Sequence, residues 1–314
     1  MSKKKDDNTK PIDIRHAARN VPHLDFVLPG YLMRTTGVLV APGGTGKSMF
    51  SLQLAFTVAL GRDVFSMFDS DTQIRQGKVI IFNAEDEPEI IEMRINKMAS
   101  KFSDADFDIL DENVLIYPCV GRSFTIAQKG EYNSVGMSPV FAATIPFVKK
   151  QAPRLVIFDT MNRMAGGIDE NDNGAMGQLM SIVERFNKAT GTASLIIHHA
   201  SKGAVLGGQG NLQQAGRGAS VVTDNARFQI NMSGMSKEEA DKIGIGDLSR
   251  SSWVAIDYSK VNYGPPMERK WLMRQDGGWL SGDVHPEDIT EALGLKPTQR
   301  HPKRGRRKAT GDPY

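Results

Sequence analysis

One octapeptide limits this chain more than any other: Ala41-Pro-Gly-Gly-Thr-Gly-Lys-Ser48, entered from the apolar run Thr36–Ala41 and followed by Ser48–Leu60, a largely apolar run closed by Gly61. A short strand that meets a glycine-rich turn and opens a helix points successive backbone N–H groups inward at the helix's positive end, where they hold phosphate. The octapeptide fits the phosphate-binding pattern G-x-x-x-x-G-K-[ST], with alanine at the first glycine. Gly43, Gly44 and Gly46 let the backbone approach closely, and Pro42, Thr45 and Met49 complete the cradle. Lys47 is expected to reach the β- and γ-phosphates of ATP, and the Ser48 hydroxyl to ligate Mg2+.

The rest of the pattern places that loop in an α/β fold. Lys78–Asn83 (KVIIFN), Val114–Cys119, Arg154–Asp159 (RLVIFD) and Ala193–His198 (ASLIIH) read as buried strands, and Pro88–Ser100 as a helix. Met176, Leu179, Met180 and Val183 recur at helical spacing before Gly191, which gives a strand–helix–strand crossover. Strands alternating with helices make a mostly parallel central sheet flanked by helices. From Arg227 the pattern changes to short strands, Arg227–Met232, Trp253–Tyr258 and Arg269–Gln275, which suit a C-terminal antiparallel extension. Val21–Pro29 reads as an extended segment docked on the core, and Gly121–Met137, Ala165–Gly174 and Ser201–Ser220 as stretches that resist burial, the last expected to be mobile without a ligand. The expected organisation is a flexible basic segment at 1–20, one ATPase domain at 21–285 and a flexible basic tail at 286–314.

Composition removes whole classes. With 40% hydrophobic and 24% charged residues over 314 positions, the chain buries a sizeable core. No apolar run approaches the 18 residues of a spanning helix, and Met1–Thr9 has no apolar stretch behind it, so neither a membrane nor a secretory role is expected. The single cysteine, Cys119, forms no internal disulfide and no thiolate zinc cage; a reducing cytoplasm fits, and any metal is held by oxygen. Charge is uneven. Lys3, Lys4, Lys5, Lys10, Arg15 and Arg19 outweigh Asp6, Asp7 and Asp13 at one end, and seven bases outweigh Asp312 after residue 295, so the net +3 conceals an acidic middle. Lys303-Arg-Gly-Arg-Arg-Lys308 is either a contact for a nucleic-acid backbone or a solvated tail.

Hydrolysis needs acids beside the loop. Asp159 closes the strand Leu155–Phe158, where a Walker B acid holds Mg2+ through its water shell. Thr160 follows it, so the adjacent Asp-Glu pair of many AAA-type ATPases is missing and the base comes from elsewhere. Glu85 leaves a strand, as the catalytic glutamate does in RecA-like cores, and its carboxylate would orient the attacking water; Asp86 and Glu87 compete for the role. His198-His199 closes another strand and opens the glycine-rich loop, a place for a γ-phosphate sensor, with a metal pair as the lesser reading.

Together these stretches resemble the hexameric RepA-type replicative DNA helicases of broad-host-range plasmids, within the RecA-like P-loop ATPases. The likeness runs from about Leu24 to Trp279 and rests on LDFVLPG (24–30), GGTGKSM with LQLA (43–55), AEDEP (84–88), HHASKGA (198–204), GRGAS with VTDNARFQ (216–229) and SKVNYGPP (259–266). It implies a single RecA-like domain in a six-membered ring, ATP between subunits and single-stranded DNA in the hole. By position it implies Lys47 and Ser48 as the loop pair, Glu85 as catalytic glutamate, Asp159 as Walker B acid and His199 as sensor. It further implies Arg94 as an arginine of the ATP site and Arg227 as a finger entering the neighbour's site, with Lys260 acting similarly. Loop 201–220 would face the channel with Lys202 and Arg217 toward DNA phosphates. No primase-like domain flanks the core, so a primase and an initiator would be separate proteins. A RecA- or RadA-like recombination ATPase and a regulatory NTP-binding oligomer are the alternatives.

Overall fold

The computed structural model describes residues 11–131, 134–199, 220–245 and 247–292. Among them, the apolar runs become a nine-stranded sheet: β1 Thr36–Ala41, β2 Val79–Asn83, β3 Val114–Pro118, β4 Leu155–Asp159, β5 Ala193–His199, β6 Phe228–Gly234, β7 Trp253–Val261, β8 Lys270–Arg274 and β9 Leu280–Ser281. Their order is β9-β8-β7-β6-β1-β5-β4-β2-β3. From β6 to β3 every pair is parallel; from β6 to β9 every pair is antiparallel. The central strands β1, β2 and β4 are buried at every position, which is why they read as unbroken apolar runs and not as alternation.

Helices cover both faces. On one, α1 (Lys47–Leu60) and α3 (Asp104–Asn113) pack Phe50, Leu54, Val58 and Leu110 against Leu39, Ile81, Ile157 and Ile197. On the other, α4 (Pro139–Gln151) and α5 (Asn173–Thr190) set Phe141, Leu179, Val183 and Phe186 against Val40, Phe82, Phe158 and Ile196. Between them, α2 (Pro88–Met98) buries only Ile91 and Met98. The stacked and edge-on rings of Phe141, Phe158 and Phe186 lie 4.8–5.9 Å apart, and each such buried ring contributes roughly 2–3 kcal/mol. Polar caps fix the helix ends. Ser103 and Asp106 form a capping box on α3, Ser138 caps α4, Asp172 caps α5, and Gly61 and Gly191 end their helices in the left-handed region.

Three expectations need correcting. Gly121–Met137 resists burial only in part: Gly121–Ser123 and Gln128–Gly130 are exposed, but Ala127–Lys129 pairs antiparallel with Val135–Met137, and Phe124, Ile126 and Ala127 are buried under α4 and α5. Val21–Pro29 docks only from Phe26 onward; Val21 is exposed, while Val27 and Leu28 are buried in a hairpin with Tyr31–Leu32. Arg154 secures this hairpin by donating two hydrogen bonds to Asp25 (2.7 and 3.1 Å) and one to the Phe26 carbonyl (2.7 Å). Within Ala165–Gly174, Ala165 and Ile168 are buried, Glu170 is half-buried, and Asp169 and Asn171–Gly174 are exposed. Helices α3 and α4 have no counterpart in the sequence reading, and Pro286–Ala292 is helical where the basic tail is expected to begin. No helix among the described residues is long and apolar enough to cross a membrane.

Candidate functional site

The parallel register delivers the motif residues to one edge of the sheet. Ala41 lies opposite His199, and Asn83 opposite Asp159, so β1, β5, β4 and β2 all end beside the glycine-rich loop. That edge, at the carboxyl ends of parallel strands, is where open α/β sheets bind ligands.

The loop leaves β1 and becomes the first turn of α1. Gly44 and Gly46 have φ of +79° and +93°, conformations that only glycine adopts at little cost. A Cβ at Gly43 or Gly44 would meet no neighbour within 4 Å, so the space in front of the loop is open. Thr45 Oγ donates to the Pro42 carbonyl at 2.7 Å and closes the loop on itself. Lys47 is 7% exposed, its Nζ 3.7 Å from Glu85 Oε1, and Ser48 and Met49 begin the helix beside it.

Behind Lys47 stand the acids. Asp159 is buried at the end of β4; Asn83 Nδ2 donates to its Oδ2 at 3.3 Å, and its Oδ1 has no hydrogen-bond partner among the described residues. Burial, then the charge of Glu85, push the Asp159 carboxyl up to about 7 against the pull of Lys47. A divalent cation reverses that balance, and a buried carboxylate oxygen left open beside a phosphate loop fits Mg2+, with Ser48 the second oxygen donor. Glu85 sits exposed on the turn after β2, between Lys47 and His199, whose Nε2 is 3.9 Å from Glu85 Oε1. Asp86, one of its two competitors, is engaged elsewhere: Arg94 from α2 grips its carboxylate with both guanidinium nitrogens. Glu87 is the N-cap position of α2. The structure thus brings together Lys47, Glu85, Asp159, His199 and, one layer out, Arg94.

Arg227 and Lys260 are elsewhere. Arg227 N donates to the Thr36 carbonyl at 2.8 Å, level with the start of β1, while the loop begins at its end. Five residues of strand separate the two levels, about 17 Å. Lys260 pairs with Gln229 across β6 and β7 and donates to the Thr223 and Asp224 carbonyls at 3.0 and 2.7 Å; partial burial lowers its pKa, with Asp224 opposing and Arg227 assisting. Lys202 and Arg217 lie outside the described residues.

Two further residues belong to the site. Asn83 is 5% exposed; its Oδ1 accepts from Glu85 N and Asp86 N at 3.1 and 2.8 Å. An asparagine between an apolar strand and an acidic turn is the available signal. Arg274, the last residue of β8, donates to the Thr45 carbonyl at 2.9 Å and reaches the Gly44 carbonyl at 3.5 Å, so the antiparallel extension clasps the phosphate loop by its carbonyls. Nothing local announces a contact across 229 residues.

Solved structures share this fold. One separately solved ATPase domain superposes with a TM-score of 0.54 at 12% identity, covering 80% of this chain and 85% of that one. A structure of a DnaB-like replicative helicase and its interactions with primase gives 0.57 at 14% identity, covering 85% of this chain; the chain spans 64% of that protein. These likenesses establish a common fold. A family described as AAA domain matches residues 6–205, well over half the sequence and all of the loop, Glu85, Asp159 and His199, so this chain belongs to the AAA domain family.

Proposed function

We propose that the protein is an ATP-driven DNA helicase of the RepA type, a ring of six identical subunits that moves along single-stranded DNA. One observation carries this reading: Arg227 lies at the end of the sheet remote from its own phosphate loop. Within one chain it cannot reach the γ-phosphate, but in a head-to-tail ring that end of one subunit faces the loop end of the next. A planar cation delivered this way stabilises charge spread over the transferred phosphoryl group. Lys260, beside it, adds a second positive charge to the same approach.

The geometry supports a division of labour. Loop N–H groups and Lys47 bind and orient the phosphates of ATP. Asp159 and Ser48 would hold Mg2+, which when bound draws charge off the phosphate oxygens. Glu85, exposed and placed between Lys47 and His199, orients water and takes its proton. His199 is within reach of Glu85 and precedes the glycine-rich stretch Ser201–Ser220 in sequence, so a change at the phosphate would be passed toward Lys202 and Arg217, the proposed contacts for DNA. The fold shared with a DnaB-like replicative helicase supports a helicase-like NTPase. A separate primase and initiator are the partners this reading expects.

The test joins two measurements. Mass photometry with ATP should give a closed hexamer, and a forked duplex should be unwound in an ATP- and Mg2+-dependent manner. Filaments that lengthen on single-stranded DNA without unwinding would assign the chain to recombination. Nucleotide-dependent assembly without DNA-stimulated turnover would assign it to regulation.

A further inference from the structure

Asn83 makes more of the site than any residue assigned above. It ends β2, buried, and its backbone is fixed on both sides: Cys119 N donates to its carbonyl at 2.5 Å, and the next residue, Ala84, donates to the Asp159 carbonyl at 2.6 Å. Its amide has one satisfactory orientation. Oδ1 accepts two backbone N–H groups, those of Glu85 and Asp86, and only an oxygen can do so. The NH2 group is thereby turned toward Asp159 Oδ2, to which it can only donate.

We propose that Asn83 is a positioning residue that sets the metal acid and the base with one amide, a role that rests on the ATPase reading above. Its donor end pins Asp159 Oδ2 and leaves Oδ1 as the oxygen presented to a divalent cation. Its acceptor end holds the turn that carries Glu85 out between Lys47 and His199. Because the two ends belong to one rigid planar group, the cation ligand and the backbone of the turn that carries Glu85 are tied to each other through it. Asp86 gains as well. Its backbone is held by the same oxygen while Arg94 holds its carboxylate, so the turn is clasped on both sides.

Two variants separate the two ends. Asn83→Ser keeps a short acceptor for the turn but has no group long enough to reach Asp159. Asn83→Ala removes both. The readouts are Mn2+ affinity in the presence of ADP, by electron paramagnetic resonance, and kcat and KM for ATP at saturating Mg2+. Mn2+ affinity should fall about tenfold in both variants, the loss expected for one charge-assisted hydrogen bond. The kcat should fall less than about tenfold in Asn83→Ser and more than about a hundredfold in Asn83→Ala, with KM within about threefold throughout. If Asn83→Ala fails to fold, the Mn2+ loss in Asn83→Ser alone decides. Wild-type Mn2+ affinity in folded Asn83→Ser overturns the proposal, as does equal kcat in the two variants. Should wild-type protein hydrolyse no ATP at all, the ATPase reading fails, and the Mn2+ comparison still judges Asn83.

Discussion

Replacing Asp159 by asparagine should stabilise the metal-free protein at pH 8 while disabling it. The folded Asp159 carboxyl is pushed up to about 7 from an ordinary 3.8, chiefly by burial. A raised folded pKa contributes stability that is complete below 3.8 and is lost as pH rises through 7. A gap of about three pKa units corresponds to roughly 4 kcal/mol of strain at pH 8 in the absence of a cation. Asp159→Asn abolishes the ionisation. It also aims an amide nitrogen or oxygen at a site built for a cation and leaves it unpaired, at a cost of about 1–2 kcal/mol. The net expectation is a gain on the order of 2 kcal/mol at pH 8, fading to nothing or a small loss at pH 5. Urea unfolding in EDTA between pH 5 and 8.5 reads this directly, and with Mg2+ and ADP present the order should invert, because only the wild type then gains from binding. A variant that is no more stable than wild type in EDTA at pH 8, with the same pH profile, would refute the reasoning that this carboxylate is held ready for a cation.

Glu85→Gln should bind ATP and lower hydrolysis by about 10²–10⁴-fold, the range for loss of a general base, whereas Asp86→Asn, which loosens Arg94, should do less; filter binding beside a phosphate-release assay compares them. Arg274→Ala should raise KM for ATP about tenfold and leave kcat within about threefold, since a clasp on the loop's outer carbonyls affects ground and transition states alike; Arg274→Lys should recover part of it, and a collapse of kcat instead would give Arg274 a different role. Arg154→Met should cost about 2–3 kcal/mol by chemical denaturation, from the lost bonds to Asp25 and Phe26. The Arg154 hydrogen bond holds the Asp25 carboxyl below its ordinary 3.8, so this contribution is present above pH 3.8 and fades as pH falls through the lower folded value; Arg154→Met should lose most of that acid sensitivity, Arg75 keeping the rest.

What the sequence reveals depends on how local the cause is. The loop, β1 and α1 are legible because strand, turn and helix are consecutive, and β2, β4 and β5 because strands buried on both faces are continuously apolar. Helices α3 and α4 are not, since each buries little: Leu110 on one, Phe141 and Val148 on the other, too few to set a period. The hairpin at 127–137 is hidden by its polar outer face, Gln128 and Lys129, which masks the buried Ile126 and Ala127. Asp159 and Glu85 can be named from their places at strand ends. The clasp of Arg274 cannot, because it depends on where three antiparallel strands finish.

The central claim is that one subunit completes the ATP site of the next, and mixing two inactive proteins tests it most directly. Arg227→Ala chains keep the loop and lose the finger; Lys47→Ala chains keep the finger and lose the loop. Each alone should bind into rings and hydrolyse almost nothing. In an equimolar mixed ring, about a quarter of the interfaces pair an intact loop with an intact finger. ATP turnover should therefore reappear on mixing, up to about a quarter of the wild-type rate, with its maximum near equal proportions. Mixtures that co-assemble by mass photometry and stay inactive at every ratio would contradict a finger supplied in trans.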